Sequence, residues 1–160
     1  MTTEPTNSST SKKPIPPLGL ALALALAMKW TVSLVPSVTI VTGNNFWFAL
    51  PFIILGLIPL AGATYLFIQA RTTVNPTTPE NSSNLITSGI FQYTRNPMYL
   101  GLLLCLIGWS LWLENIITIG GAVVFYWYIN KHQIPFEEAA LAKKFTEKFQ
   151  QFCEKTRRWL

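Results

Sequence analysis

The chain has 160 residues, half of them hydrophobic and only 12% charged, with a net charge of +5. A soluble domain carries about 25% charged residues, and here the apolar residues fall in blocks, so the composition excludes an ordinary soluble domain and reads as a single-domain polytopic membrane protein. The basic surplus does not point to nucleic acid: Lys and Arg lie at the ends or beside apolar blocks, with no basic stripe interleaved with aromatics.

Met1 to Pro17 is rich in Ser, Thr and Pro, with Lys12 and Lys13 near its end, and is expected to be a disordered cytoplasmic tail. An apolar run from Leu18 to about Val35 follows. Its beginning could be read as a signal peptide, but the run stays apolar past Ala27, which fits a retained transmembrane helix. Lys29 inside it is expected to snorkel or to face a neighbouring helix. Phe46 to about Gln69 is the second span. Pro51 and Pro59 should bend it, and Gly56 and Gly62 should let another helix approach. Between the two spans, Pro36 to Asn45 is a short uncharged loop.

Arg71 to Thr94 is a polar connector with Pro76 and Pro79, too long for a simple turn. Two shorter apolar blocks follow, Pro97 to Leu113 and Ile116 to Asn130, separated by Glu114-Asn115 and expected to form a short hairpin. Trp109, Trp112, Tyr126, Trp127 and Tyr128 suit membrane-interface positions. From Ile134 the character changes. Pro135 suits a first helical turn, Glu137 and Glu138 suit the positive end of the helix dipole, and Leu141, Phe145, Phe149 and Phe152 recur at helical spacing. This predicts a C-terminal amphipathic helix, lying on the membrane surface or folded back on the bundle. Lys12, Lys13, Arg71, Arg95, Lys131 and the basic tail alternate with loops lacking Lys and Arg, so both termini and the connector are expected in the cytoplasm, with four crossings. Cys105 and Cys153 show neither metal spacing nor a disulfide framework and are expected to be thiols packed as small apolar groups.

Two cytoplasmic segments could build a site. In the first, Ser88-Gly89 marks a turn, Asn96 is a good N-cap, and Pro97 is pre-set for the first helical position. Arg95 precedes the cap and Tyr99 stands just inside the helix. Read alone, this is a capped membrane helix with an interfacial Arg and Tyr. The second segment is Glu137-Glu138.

The stretch Leu85-Ile86-Thr87-Ser88-Gly89-Ile90-Phe91, running into Arg95-Asn96-Pro97-Met98-Tyr99, with the later Glu137-Glu138 and the closing Arg158-Trp159-Leu160, resembles the isoprenylcysteine carboxyl methyltransferase and phospholipid methyltransferase superfamily, in its bacterial branch. The resemblance covers about residues 70 to 160; the first two spans match only in hydropathy. It implies an all-α, polytopic membrane bundle of about four transmembrane helices, with a membrane methyltransferase domain over residues 18–160 whose cofactor-binding part is about 70–160. It further implies S-adenosylmethionine as cofactor and methyl transfer to a lipophilic acceptor, with membrane lipids around it in a bacterial inner membrane. Carried over residue by residue, it places Asn84, Leu85, Ile86, Phe91, Asn96, Pro97, Met98, Tyr99 and Glu137 at the cofactor, and Arg95, Glu137 and Glu138 as catalytic candidates. The chain departs from the prenyl-protein enzymes at Asn96, where they have His, and at Gln133, where they have Arg. It also has Thr146 for a frequent Gly, and Phe149 and Phe152 for frequent Tyr. These departures point away from a prenylcysteine carboxylate as acceptor. Two alternatives stay open: a sterol-reductase-like membrane oxidoreductase, because some such reductases share a similar Arg-Asn-Pro-x-Tyr stretch, and a non-catalytic membrane protein of the same fold.

Overall fold

The computed structural model describes residues 14–36, 45–70 and 84–160. The expected tail with Lys12 and Lys13, most of the first loop, and Arg71, Pro76 and Pro79 of the connector lie outside the described residues. What is described is all-helical: α1 (Pro17–Leu34), α2 (Asn45–Gln69), a 3-10 turn (Gly89–Gln92), α3 (Pro97–Trp112), a second 3-10 turn (Ile116–Thr118), α4 (Ile119–Tyr128), a π-helical segment (Ile129–Gln133) and α5 (Ile134–Lys155).

Two of these helices, α1 and α2, are long and apolar enough to cross a membrane, and α3 is a shorter apolar helix. Both long helices are mostly unburied. Leu18, Leu22, Leu26, Trp30 and Leu34 form an exposed stripe along α1 at every fourth residue. A water-soluble surface rarely carries so large an apolar patch, whereas lipid solvates it. Lys29 is exposed on the same helix, which matches snorkelling rather than pairing inside the bundle.

The helices alternate in direction. The α1 C-terminus meets the α3–α4 turn, where Asn115 Nδ2 donates to the Val35 carbonyl at 2.6 Å, and the start of α2 meets the end of α3, where Asn45 Nδ2 donates to the Trp112 carbonyl at 2.9 Å. At the opposite end, the Ile15 N–H donates to Tyr128 Oη at 2.9 Å, and Asn84 Nδ2 donates to the Ala70 carbonyl at 3.1 Å. Asn115 also accepts from the Ile117 N–H at 3.0 Å, so one buried amide caps a turn and satisfies an orphan carbonyl.

The α2–α3 contact is a seam of small residues. Ala49, Gly56 and Ala63, seven apart, are buried on α2. A Cβ on Gly56 would stand 2.7 Å from the Gly101 carbonyl oxygen, and one on Gly101 only 2.5 Å from that of Gly56. The two backbones therefore touch, a packing that lipid favours because apolar side chains gain little by leaving it. Gly62 is different: among the described residues its Cβ would meet only Ile90, at 3.9 Å, so it is not a point of close approach there.

Two expectations for the C-terminal region are corrected. Pro135 falls in the first turn of α5, as expected, but α5 is not a separate helix. α4 passes through the π-segment into α5, and the Ile134 N–H donates back to the Ile129 carbonyl. Proline lacks an N–H and clashes with the carbonyl four residues earlier, and a local widening to i→i+5 bonding accommodates it. The start of α5 therefore has no open dipole end for Glu137 and Glu138. Nor is α5 one regular helix: Thr146 has φ 35° and ψ −102°, which kinks it in two. The helix folds back on the bundle, burying Phe149 and Phe152, with Leu141 and Phe145 partly buried, against Ala63, Leu66, Phe67 and Phe91.

Candidate functional site

The site grows from the start of α3. Asn96 occupies the cap position, but its side chain makes no cap hydrogen bond; Nδ2 instead donates to the Arg158 carbonyl at 2.9 Å. The capping role passes to buried Thr94, whose Oγ1 accepts from the Asn96 N–H at 3.2 Å and donates to the Arg158 carbonyl at 3.1 Å. The Arg95 N–H donates to the Arg157 carbonyl at 2.9 Å. The C-terminal residues are thus laid along the Thr94–Asn96 backbone.

A charged cluster lies on this tail contact. Glu138 receives Arg158 Nε at 3.0 Å and Arg158 Nη2 at 2.6 Å, a two-pronged pair, and Arg95 Nη1 at 3.1 Å. Arg95 Nη1 also contacts Cys153 Sγ, and Arg95 Nε is buried with no partner among the described residues. Cys153 is therefore not the purely apolar filler expected of it. Burial pushes its thiol above the ordinary range, against the pull of Arg95.

One helical residue earlier, Glu137 faces elsewhere. Its Oε1 accepts from the buried Tyr99 hydroxyl and from Gln133 Nε2 at 2.5 Å. Gln133 and Glu137 stand four apart on the α5 side, so they share a face. Burial raises the Glu137 carboxyl to about 7. The hydrogen bonds from Tyr99 and Gln133 work against the rise, and Glu138 adds to it.

The remaining sequence-predicted residues form a second group. Asn84 is tied to the end of α2. Leu85, Ile86 and Phe91 join the apolar cluster under α5, with Phe91 edge-on to Phe67 at 5.6 Å. Gly89, at φ 60°, makes the turn that sends Phe91 inward. Met98 packs against both apolar clusters and so bridges the groups. Beside the second group is a cavity of about 500 Å³ lined by Leu85, Thr87, Gln92, Lys148, Gln151, Phe152, Lys155 and Thr156. Neither Tyr99 nor Glu137 lines it. Sequence reasoning missed Thr94 and Cys153 as members of the site. The Thr-x-Asn-Pro spacing could have revealed the first, since a Thr hydroxyl often bonds a backbone N–H two residues on; nothing local marks Cys153.

The sequence model of the phospholipid methyltransferase family matches residues 44–148, about two-thirds of the chain. The chain belongs to that family. The family match takes in both groups of site residues up to Glu138 and ends before Cys153 and the tail. An uncharacterized protein of Haemophilus influenzae is 44% identical over 63 residues, which are 39% of this chain and the whole of that protein. Protein-S-isoprenylcysteine O-methyltransferase B of Arabidopsis thaliana is 28% identical over 115 residues, 70% of this chain and 58% of that protein. A probable protein-S-isoprenylcysteine O-methyltransferase of Oryza sativa subsp. indica is 28% identical over 76 residues, 48% of this chain and 40% of that protein. This family member therefore aligns with about half of the length of the plant relatives. No solved structure matches it.

Proposed function

We propose that this chain is an integral membrane methyltransferase that uses S-adenosylmethionine to methylate a lipophilic acceptor. The observation that carries the reading is the carboxyl of Glu137, held by Tyr99 and Gln133 where the start of α3 meets the start of α5. Family membership and the names of the plant relatives support it.

The residues present fit such a cofactor. Glu137 is a carboxyl whose two partners are an uncharged phenol and an uncharged amide, so its negative charge is available to a cationic group. Thr94, Arg95 and Asn96 stand on the segment that leads into α3, three to five residues before Tyr99, and add hydroxyl, guanidinium and amide groups to that end of the bundle. When bound, the cofactor would supply an already activated methyl group. The chain's own work is then placement: Glu137 and Tyr99 anchor, while Arg95, fixed by Glu138, organises the polar edge. An amine or phenol acceptor must lose a proton, and a carboxyl titrating near 7 is matched to accept it. Glu138, committed to two guanidinium groups, serves to position them. The acceptor enters from the bilayer between the exposed apolar helices. The alternating helices and the distribution of Lys and Arg support a reading with four crossings and both termini in the cytoplasm.

Calorimetric titration of the detergent-solubilised chain tests this. The chain should retain S-adenosylmethionine and not NADPH. Tyr99→Phe and Glu137→Ala should each weaken binding by about tenfold or more, the scale of one hydrogen bond to a charged group, with an unchanged circular dichroism spectrum. Wild-type affinity in both variants would remove them from the site; NADPH retention would favour the reductase reading. Radiolabelled cofactor with a total lipid extract of the source cell, followed by mass spectrometry, identifies the acceptor.

A further inference from the structure

We propose that the cavity between residues 85–92 and the second half of α5 is a binding site for a phosphate-bearing anion. Lys148 and Lys155 line it seven residues apart, two helical turns, so both project from one face of α5 with Gln151 between them. Thr87, Gln92 and Thr156 add uncharged polar groups from the facing segment and the helix end. Among the described residues the lining therefore carries two positive charges and no carboxylate. Glu147 and Glu154, which each precede a lysine by one residue, are turned about 100° away around the helix. A phosphate group offers several acceptor oxygens and a charge near −2, and this set of ammonium, hydroxyl and amide donors matches it. The floor is apolar, formed by Leu85 and buried Phe152, which suits the carbon skeleton attached to the phosphate.

The cavity lies at the end of the bundle where α2 ends and α3 begins, the place at which a basic pocket would meet lipid headgroups. A lipid headgroup and a soluble phosphate offer the same chemistry. The proposal does not rest on methyl transfer, because neither Tyr99 nor Glu137 takes part.

The test uses the full chain in nanodiscs of zwitterionic lipid, titrated with dioctanoyl phosphatidate and separately with inorganic phosphate, read by thermophoresis. Saturable binding of at least one probe is expected. Lys148→Glu with Lys155→Glu should cut affinity by about tenfold or more, the order expected for two lysines at an anionic headgroup. The same change in net charge made with Lys143→Glu and Lys144→Glu, outside the cavity, should cut it by less than about threefold. Displacement of phosphatidate by phosphate supports the site with a soluble occupant, and phosphatidate binding that phosphate does not compete supports it with a lipid headgroup. No saturation with either probe, or equal losses in the two charge-reversed variants, overturns the proposal.

Discussion

Removing the Glu138 carboxylate should cost more than removing the arginine that grips it most closely. Glu138 is 20% exposed and meets two guanidinium groups of different standing. Arg158 makes the shorter, two-pronged contact but is 41% exposed, whereas Arg95 is 15% exposed and its Nε is already buried without a partner among the described residues. In Glu138→Ala, Arg95 is left as an uncompensated charge. Breaking a fully buried pair costs about 3–5 kcal/mol, and the residual water access reduces that to about 2–3 kcal/mol here. The Arg158 contact, half open to water, contributes about 1 kcal/mol, the upper end for surface pairs because both carboxylate oxygens are used. Glu138→Ala should therefore destabilise by about 3 kcal/mol and Arg158→Ala by about 1 kcal/mol. The double variant should be less destabilised than the sum by about 1 kcal/mol, since the shared contact is counted once. Unfolding of the detergent-solubilised chain in a denaturant titration, with all four proteins in one detergent, measures the cycle. Equal losses for the two single variants would refute the claim that Arg95 depends on Glu138. Strict additivity would refute the Arg158–Glu138 pairing itself.

Thr146 holds φ 35° without being glycine, a strain of about 1–3 kcal/mol; Thr146→Gly should raise the unfolding midpoint, and an unchanged or lower midpoint would show that the kink carries no strain. Gly101→Ala should destabilise by about 2 kcal/mol because its Cβ meets a carbonyl of α2 at 2.5 Å, whereas Gly120→Ala, with nothing within 4 Å among the described residues, should be neutral or stabilising; equal effects in thermal unfolding would deny the backbone contact. Because burial holds the Glu137 carboxyl up at about 7, the folded chain keeps that proton more tightly than the unfolded chain. The stabilisation is complete below the ordinary carboxylate range and is lost as pH rises through about 7. Relative to Glu137→Gln, the wild type should therefore lose unfolding midpoint between about pH 4.5 and 7; a difference that stays flat with pH would contradict the raised value.

The parts of the fold that the sequence exposes are those set by local rules. α1 and α2 follow from apolar runs of membrane length, and the start of α3 from Asn96-Pro97, because span length and a proline-first turn need no knowledge of the rest of the chain. The passage from α4 to α5 was not legible. Pro135 carries the same signal whether it opens a helix or rides a π-segment, and periodicity at 3.6 residues cannot register one i→i+5 turn. Nor could composition distinguish Gly56, pressed against α3, from Gly62, which is not, since the difference lies in which way each faces. The tail was the least accessible part. Arg158 reaches Thr94 and Asn96 across 64 and 62 residues of sequence, and long-range pairs of this kind leave no local pattern.

Glu137 and Glu138 are neighbours of one type on one helix, and they have opposite electrostatic accounts. Consecutive helical positions are turned by about 100°, so one carboxyl faces Tyr99 and the other faces the tail. Glu138 meets two guanidinium groups, and a ligand cation would have to compete with both. Glu137 meets a phenol and an amide, which donate hydrogen bonds but no charge, and burial makes its ionised form costly. A cation placed beside Glu137 would relieve that cost, so binding and ionisation there should reinforce each other. Gln133 is decisive in this arrangement. An arginine at the same position would already supply the positive charge and would leave Glu137 with less to gain from a ligand. Gln133→Arg should therefore lower the Glu137 carboxyl toward the ordinary range and weaken retention of a cationic cofactor while leaving neutral ligands unaffected. If that substitution left cation affinity unchanged, the carboxyl of Glu137 would not be what the cofactor meets.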